Sequence, residues 1–195
     1  MNTHQSTNPK SKIENPKLAK AVFLDRDGTI CKDVSYLSRV EDLRLFPFAA
    51  EAIRFLNKND FLVCLVTNQS GVGRGYFDEN TLREIHAQLV KELQRGGAHL
   101  DAIYFCPHAP EDECLCRKPQ TKMIERAAEE FQIDLKNSWM IGDKSIDVET
   151  GLNAKTKTAF VLTGYGAREV ETMQVKPDLV GENLLEAVRL IIRNG

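Results

Sequence analysis

The stretch Ala21-Val-Phe-Leu-Asp25-Arg26-Asp27-Gly28-Thr29 decides the reading of this chain. Its apolar run is too short for a helix and suits a buried strand. The run ends in two carboxylates two residues apart, followed by a glycine. In an extended chain alternate side chains point the same way, so Asp25 and Asp27 can serve one site. Two carboxylates so close call for a cation or a shared proton. The rest of the sequence can be searched for what this pair lacks.

Similar apolar runs recur along the chain. Strands are predicted at 20–24, 61–66, 102–105, 138–141, 158–162 and 178–180. Between them lie helical patterns. One follows Pro47, a residue suited to a first helical turn. A long one starts at Asp78, a good N-cap, and stops at Gly96-Gly97. Others cover 120–131, the stretch up to 153, and 182–193. Residues 30–46 read as a connection with some extended character. Alternating strands and helices predict an α/β fold, a Rossmann-like three-layer sandwich with a mainly parallel sheet covered on both faces. Ligands bind beyond the carboxyl ends of the strands in such sheets. The Asp pair follows the first strand, Thr67 the second, Cys106 the third and Asp143 the fourth. Four clusters scattered in sequence should therefore meet on one edge.

That edge has the residues for phosphoryl transfer. Asp25 at the strand end would attack phosphorus and carry an aspartyl-phosphate. Asp27 would protonate the leaving alkoxide and then activate water. Magnesium would be held by Asp25, the backbone carbonyl of Asp27 and Asp143. Thr67 and Lys118 would bind the phosphoryl oxygens. Taken singly, Thr67 reads as a turn hydroxyl, Lys118 as a surface charge and Asp143 as a helix cap; their shared strand context favours a site.

A loop rich in cysteine supplies a second cluster, Cys106-Pro-His108-Ala-Pro-Glu-Asp-Glu-Cys114-Leu-Cys116-Arg117-Lys118-Pro. Three Cys and one His fit a closed tetrahedral structural zinc site, free thiols being the alternative. Zinc there would rigidify a loop leading straight to Arg117 and Lys118. Cys64 reads as core, and Cys31 has no role that can be argued. His86 and His99 read as decoration of a helix and a loop, with no catalytic part.

Length and composition set the frame. At 195 residues the chain suits one domain, and 42% hydrophobic with 28% charged residues is ordinary for a soluble protein. A net charge of -2 gives no reason to expect nucleic acid or an anionic membrane as partner. No signal-peptide or membrane-spanning run is present, and five cysteines then read as thiols or metal ligands in the cytoplasm. Residues 1–19 are expected to be a flexible tail and 20–195 the folded domain, with the zinc loop at 106–116. Without heptads or a large apolar patch, a monomer is expected.

In order, Asp25-Arg-Asp-Gly-Thr29, Thr67-Asn-Gln-Ser-Gly71, Lys118 and Gly142-Asp143-Lys-Ser-Ile-Asp147 resemble the four motifs of the haloacid dehalogenase superfamily of phosphatases. The likeness runs from about 20 to 163. It implies that Asp147 binds a metal water or orients Lys118 and its loop. The cysteine loop is similar to that of the zinc-bearing branch, which holds phosphatases of heptose bisphosphates and of histidinol phosphate. The run Thr67 to Phe77 and Gly142-Asp-Lys144 look like the heptose enzymes, and Cys31 departs from their usual Asn. The resemblance implies substrate contacts at Asp33, Tyr36, Asn68, Gln69, Ser70, Arg74, Arg117 and Lys144, with Arg117 reading a second anionic group of a sugar phosphate. It also implies no separate cap domain, since no large insertion divides the motifs. Histidinol phosphate is the second substrate to consider. A non-catalytic, zinc-stabilised binding module is the reading from a different class.

Overall fold

The computed structural model describes residues 18–194. Nearly all of the expected tail lies outside these described residues. Six strands form one sheet in the order β3-β2-β1-β4-β5-β6, every neighbour pair parallel. They are β1 (Lys20–Leu24), β2 (Phe61–Asn68), β3 (Ala102–Cys106), β4 (Trp139–Gly142), β5 (Lys157–Val161) and β6 (Leu179–Gly181). The helices are α1 (Ala49–Asn57), α2 (Ser70–Gly73), α3 (Glu79–Arg95), α4 (Lys122–Phe131), α5 (Ser145–Asn153), α6 (Gly166–Glu169) and α7 (Leu184–Asn194).

The apolar runs are strands because both of their faces are covered. On one face Val22 and Leu24 join Val63, Leu65 and Ile141 under α1, α3 and α7, through Ile53, Leu56, Ile85, Leu89, Val188 and Ile191. On the other, Ala21, Phe23, Cys64, Val66 and Met140 pack under Met123, Ile124 and Ala127 of α4. This two-sided alternation follows the strand period of two. Phe23 has no exposed surface, and cutting such a side chain to Ala costs about 3–5 kcal/mol. The Asp78 carboxylate caps α3 by accepting from the Thr81 N–H at 2.8 Å, and α3 ends before Gly97, whose φ is +72°.

Several details differ from the sequence reading. Thr67 and Cys106, expected just beyond β2 and β3, lie inside them, and α6 was not foreseen. Pro47 lies just before α1 rather than within its first turn. The 30–46 connection contains a 3-10 turn, Val40–Asp42. The glycine-rich segment after β2 opens as the helical turn α2. Turns this short carry too few residues to show a period. Among the described residues no helix is long and apolar enough to cross a membrane.

The chain runs outward from β1 through β2 to β3, then crosses back to place β4 on the other side of β1. That reversal opens a crevice at the carboxyl ends of β1 and β4. Asp25 follows β1 and Asp143 follows β4, so the sheet carries both to its floor, where both are buried.

Candidate active site

Lys118 is the pivot of the site. Its side chain is buried, and Nζ lies 2.9 Å from Asp25 Oδ1 and 2.6 Å from Asp147 Oδ1. Burial works against its charge, but Asp147 and Asp25 more than offset that and raise its pKa. Asn68, at the end of β2, grips the Lys118 backbone. Its Oδ1 accepts from the Lys118 N–H at 3.0 Å, and its Nδ2 donates to the Lys118 carbonyl at 3.3 Å.

Asp25, Asp143 and Asp147 each place one oxygen within 4.8 Å of the others. The three are not equivalent. Asp147 gives Oδ1 to Lys118 and accepts the Lys144 N–H on Oδ2 at 3.1 Å. Asp143 accepts the Tyr165 N–H on Oδ2 at 2.8 Å, while its buried Oδ1 has no partner. A buried, unpartnered carboxylate oxygen facing a second carboxylate is what a hard divalent cation needs. Burial, then the charges of Asp25 and Asp147, push the Asp143 carboxyl up to about 8. A cation would reverse that shift. Backbone close by makes the pocket tight: a Cβ at Gly28 or at Gly164 would lie 2.1 Å from Asp143 Oδ2. Both glycines also have positive φ, +84° and +58°, a conformation costly to other residues.

Asp27 has a different environment. Arg26 forks onto it, Nε to Oδ1 at 3.1 Å and Nη2 to Oδ2 at 2.8 Å. Gln69 Nε2 donates to Asp27 Oδ2 at 3.0 Å and to Thr67 Oγ1 at 2.9 Å. The Cys31 thiol lies 3.6 Å from Asp27 Oδ1. The chain does not stay extended after Asp25: the N–H groups of Thr29, Ile30 and Cys31 all turn back to the Arg26 carbonyl. Asp25 and Asp27 still line one cleft.

That cleft has a volume of about 290 Å³ and is lined by Asp25, Asp27, Thr67 and Lys118 at its base. Asp33, Tyr36, Asn68, Ser70, Arg117 and Lys144 also line it. Lys144 pairs with Asp33 at 3.0 Å and lies 4.6 Å from the centre of the Tyr165 ring. Arg117 donates to the His108 carbonyl at 3.3 Å. Two further residues expected at the substrate face elsewhere. Gln69 is buried behind the cleft with its amide spent on Arg26, Asp27 and Thr67. Arg74 reaches across to Glu111 at 2.9 Å.

The second cluster has closed up. Cys106 Sγ lies 3.4 Å from Cys114 Sγ and 3.2 Å from Cys116 Sγ, and Cys114 and Cys116 are 3.6 Å apart. His108 enters through Nδ1, 3.5 Å from Cys106 and 3.3 Å from Cys116. A zinc tetrahedron with sulfur ligands has edges of about 3.7 Å, so these four donors fit a zinc ion with a small expansion. Gly73 of α2 packs on this loop: its N–H donates to the Pro107 carbonyl at 2.7 Å, and a Cβ there would strike Ala109 N at 2.7 Å.

Sequence reasoning missed Arg26, Gly164, Tyr165 and His86. His86 does not decorate the surface of its helix as expected: it is buried against Phe105 and lies 3.3 Å from Arg26 Nη1. The only sequence signal was the placement of Arg26 between two motif carboxylates.

With this geometry in place, the likeness to known proteins is specific. A family model described as HAD-hydrolase-like matches residues 115–187. A D-glycero-beta-D-manno-heptose-1,7-bisphosphate 7-phosphatase of Helicobacter pylori is 45% identical over 148 residues, covering 74% of this chain and 83% of the relative. A D-glycero-D-manno-heptose-1,7-bisphosphate 7-phosphatase of Thermosynechococcus vestitus is 39% identical, covering 88% of this chain and 94% of the relative. Among solved structures, a D,D-heptose 1,7-bisphosphate phosphatase from B. bronchiseptica, complexed with magnesium and phosphate, superposes with a TM-score of 0.86 at 32% identity. That likeness covers 90% of this chain and 99% of the other.

Proposed function

The chain belongs to the haloacid dehalogenase-like hydrolases, in the family of heptose-1,7-bisphosphate 7-phosphatases, and on that premise we propose that it removes the 7-phosphate of D-glycero-D-manno-heptose 1,7-bisphosphate through an aspartyl-phosphate. The observation that carries the chemistry is Asp25. It lies against buried Lys118 at 2.9 Å and close to Asp143, whose Oδ1 is unpartnered, in a cleft that Arg117 and Lys144 also line.

Asp25 attacks phosphorus as the bond to the sugar oxygen breaks, and Asp27 delivers a proton to that oxygen. Asp27, now a carboxylate, takes a proton from the water that attacks the phosphoenzyme, which returns Asp25 and releases phosphate. Thr67, whose Oγ1 already accepts from Gln69, has its hydroxyl proton left to donate to a phosphoryl oxygen. Lys118 offsets charge on the same group. The magnesium ion that Asp25, the Asp27 carbonyl and Asp143 would hold adds charge neutralisation to the phosphoryl oxygens. Arg117 and Lys144, farther up the wall, suit a second phosphate, for which a planar guanidinium is well shaped. Cys106, His108, Cys114 and Cys116 would hold zinc in a structural role, since a closed four-ligand set leaves no position for substrate.

The test is phosphate release, with magnesium, from the heptose bisphosphate beside histidinol phosphate. The heptose should turn over with a large preference and leave the 1-phosphate, readable by phosphorus NMR. A preference for histidinol phosphate would overturn the substrate. Unchanged turnover in Asp25→Asn and Asp27→Asn would overturn the mechanism.

A further inference from the structure

Arg26 has no exposed surface. A buried guanidinium is tolerated only when its charge is paired and its five N–H groups find acceptors. Its Nε and Nη2 go to Asp27, and Nη2 also reaches Gln69 Oε1 at 2.9 Å. On the far side, Nη1 points at His86 Nε2, 3.3 Å away in the middle of α3. A guanidinium can only donate, so Nε2 must accept, and His86 is the neutral tautomer protonated on Nδ1. Its surroundings agree: burial first, and the Arg26 charge second, push the imidazole pKa down to about 3.

A guanidinium turns as a rigid plane. With one end fixed to α3, its other edge has a single direction, toward Asp27. Gln69 Nε2 holds Asp27 Oδ2 from a second side, and its bond to Thr67 Oγ1 does not pass through Arg26. Without an acceptor at position 86, Nη1 is left buried and unpaired. The guanidinium then rotates to find another acceptor, and the Asp27 carboxylate, held by two of its bonds, follows.

We propose that His86 is a positioning residue for the phosphatase reaction, acting through Arg26 to aim the Asp27 carboxyl at the leaving oxygen. The proposal rests on Asp27 being the acid and base of that reaction.

The leaving group provides the test. A sugar alkoxide needs a proton as it departs, whereas 4-nitrophenolate does so much less. In His86→Leu, kcat/KM on the heptose bisphosphate should fall by about tenfold, the scale of one lost hydrogen bond to a charged group. On 4-nitrophenyl phosphate it should stay within about twofold. His86→Gln, which restores an acceptor, should regain most of the loss. Loss of folded protein would lower both substrates alike, so an equal fall on both, or no fall, overturns the proposal. Any alkyl phosphate that the wild-type enzyme hydrolyses can stand in for the heptose. A wrong substrate therefore shows in the wild type and a wrong role for His86 in the ratio. Nitrogen NMR gives a readout independent of turnover: near pH 5, Nε2 of His86 should be unprotonated. An imidazolium there would overturn the geometry on which the role depends.

Discussion

Replacing Lys118 with methionine keeps most of the side chain's volume and removes the cation between two buried carboxylates. Nζ lies 2.9 Å from Asp25 and 2.6 Å from Asp147, and the side chains of all three are at most 8% exposed. Taking away one partner of a buried ion pair costs about 3–5 kcal/mol. For a chain of this length that is a fall in Tm of roughly 10 °C. The size of the loss should depend on pH. Asp147 already stands at about 6, raised chiefly by burial and also by Asp25, with Lys118 pulling it down. Without Lys118 its pKa rises further. A carboxylate whose folded pKa lies above the unfolded value of about 3.9 binds its proton more tightly in the native state. Its native form is therefore favoured at low pH, and that stability is lost as pH rises through the folded pKa. Urea unfolding of wild type and variant in magnesium-free buffer should show the largest deficit near pH 8 and a clearly smaller one near pH 5.5. Turnover should drop by about a hundredfold or more at every pH, since charge on the phosphoryl group loses its fixed partner. A stability deficit that does not change with pH would refute the view that Lys118 is held between two charged carboxylates.

Two further outcomes follow from close contacts and from the cysteine loop. In Gly164→Ala the new Cβ would lie 2.1 Å from Asp143 Oδ2 and 2.6 Å from the Gly28 backbone; Asp143 must shift, and half-maximal activity should need about tenfold more magnesium or higher, whereas an unchanged magnesium titration would contradict the tight pocket. Metal analysis of protein folded without chelator should find about one zinc per chain, and Cys116→Ala should lose it together with thermal stability and some turnover; zinc-free protein with full activity would remove the ion from this loop.

Much of this architecture could be read from the sequence, for a physical reason. β1, β2 and β4 are buried on both faces, so they are written as nearly unbroken apolar runs, and polar residues begin within two positions of their ends. A parallel sheet then brings those ends together without further information. Lys118, which follows no strand, was added on the chemistry of phosphoryl transfer and the likeness of the motifs; Asp25, Thr67 and Asp143 could be assembled from the sheet before any distance was known. The side-chain network behind them could not. His86 lies on the long amphipathic helix α3, where a histidine between apolar positions looks like any polar residue near the boundary. Its burial depends on Phe105 from β3 and on Arg26, sixty positions earlier in the chain. The motif resemblance placed Gln69 at the substrate together with Asn68 and Ser70, and only those two neighbours line the cleft. A chain that bends into α2 right after β2 carries Gln69 behind it instead.

The division of labour between Asp143 and Asp147 shows how far residue type leaves a role undecided. Both are aspartates beyond the end of β4, four positions apart, both buried and each close to Asp25. Asp147 lies in the first turn of α5, where it accepts the Lys144 N–H and meets Lys118, so each of its oxygens has a fixed partner. Asp143 precedes that helix, pressed between Gly28 and Gly164, and keeps one buried oxygen without any. A cation competes poorly for an oxygen already paired with an ammonium but finds an unpartnered one ready. Hydrogen bonding thus makes Asp147 the keeper of Lys118 and leaves Asp143 the carboxylate with an oxygen free for the proposed magnesium ion. Exchanging these roles would require moving Lys118 as well as a carboxylate, since the lysine's two short contacts decide which aspartate is occupied.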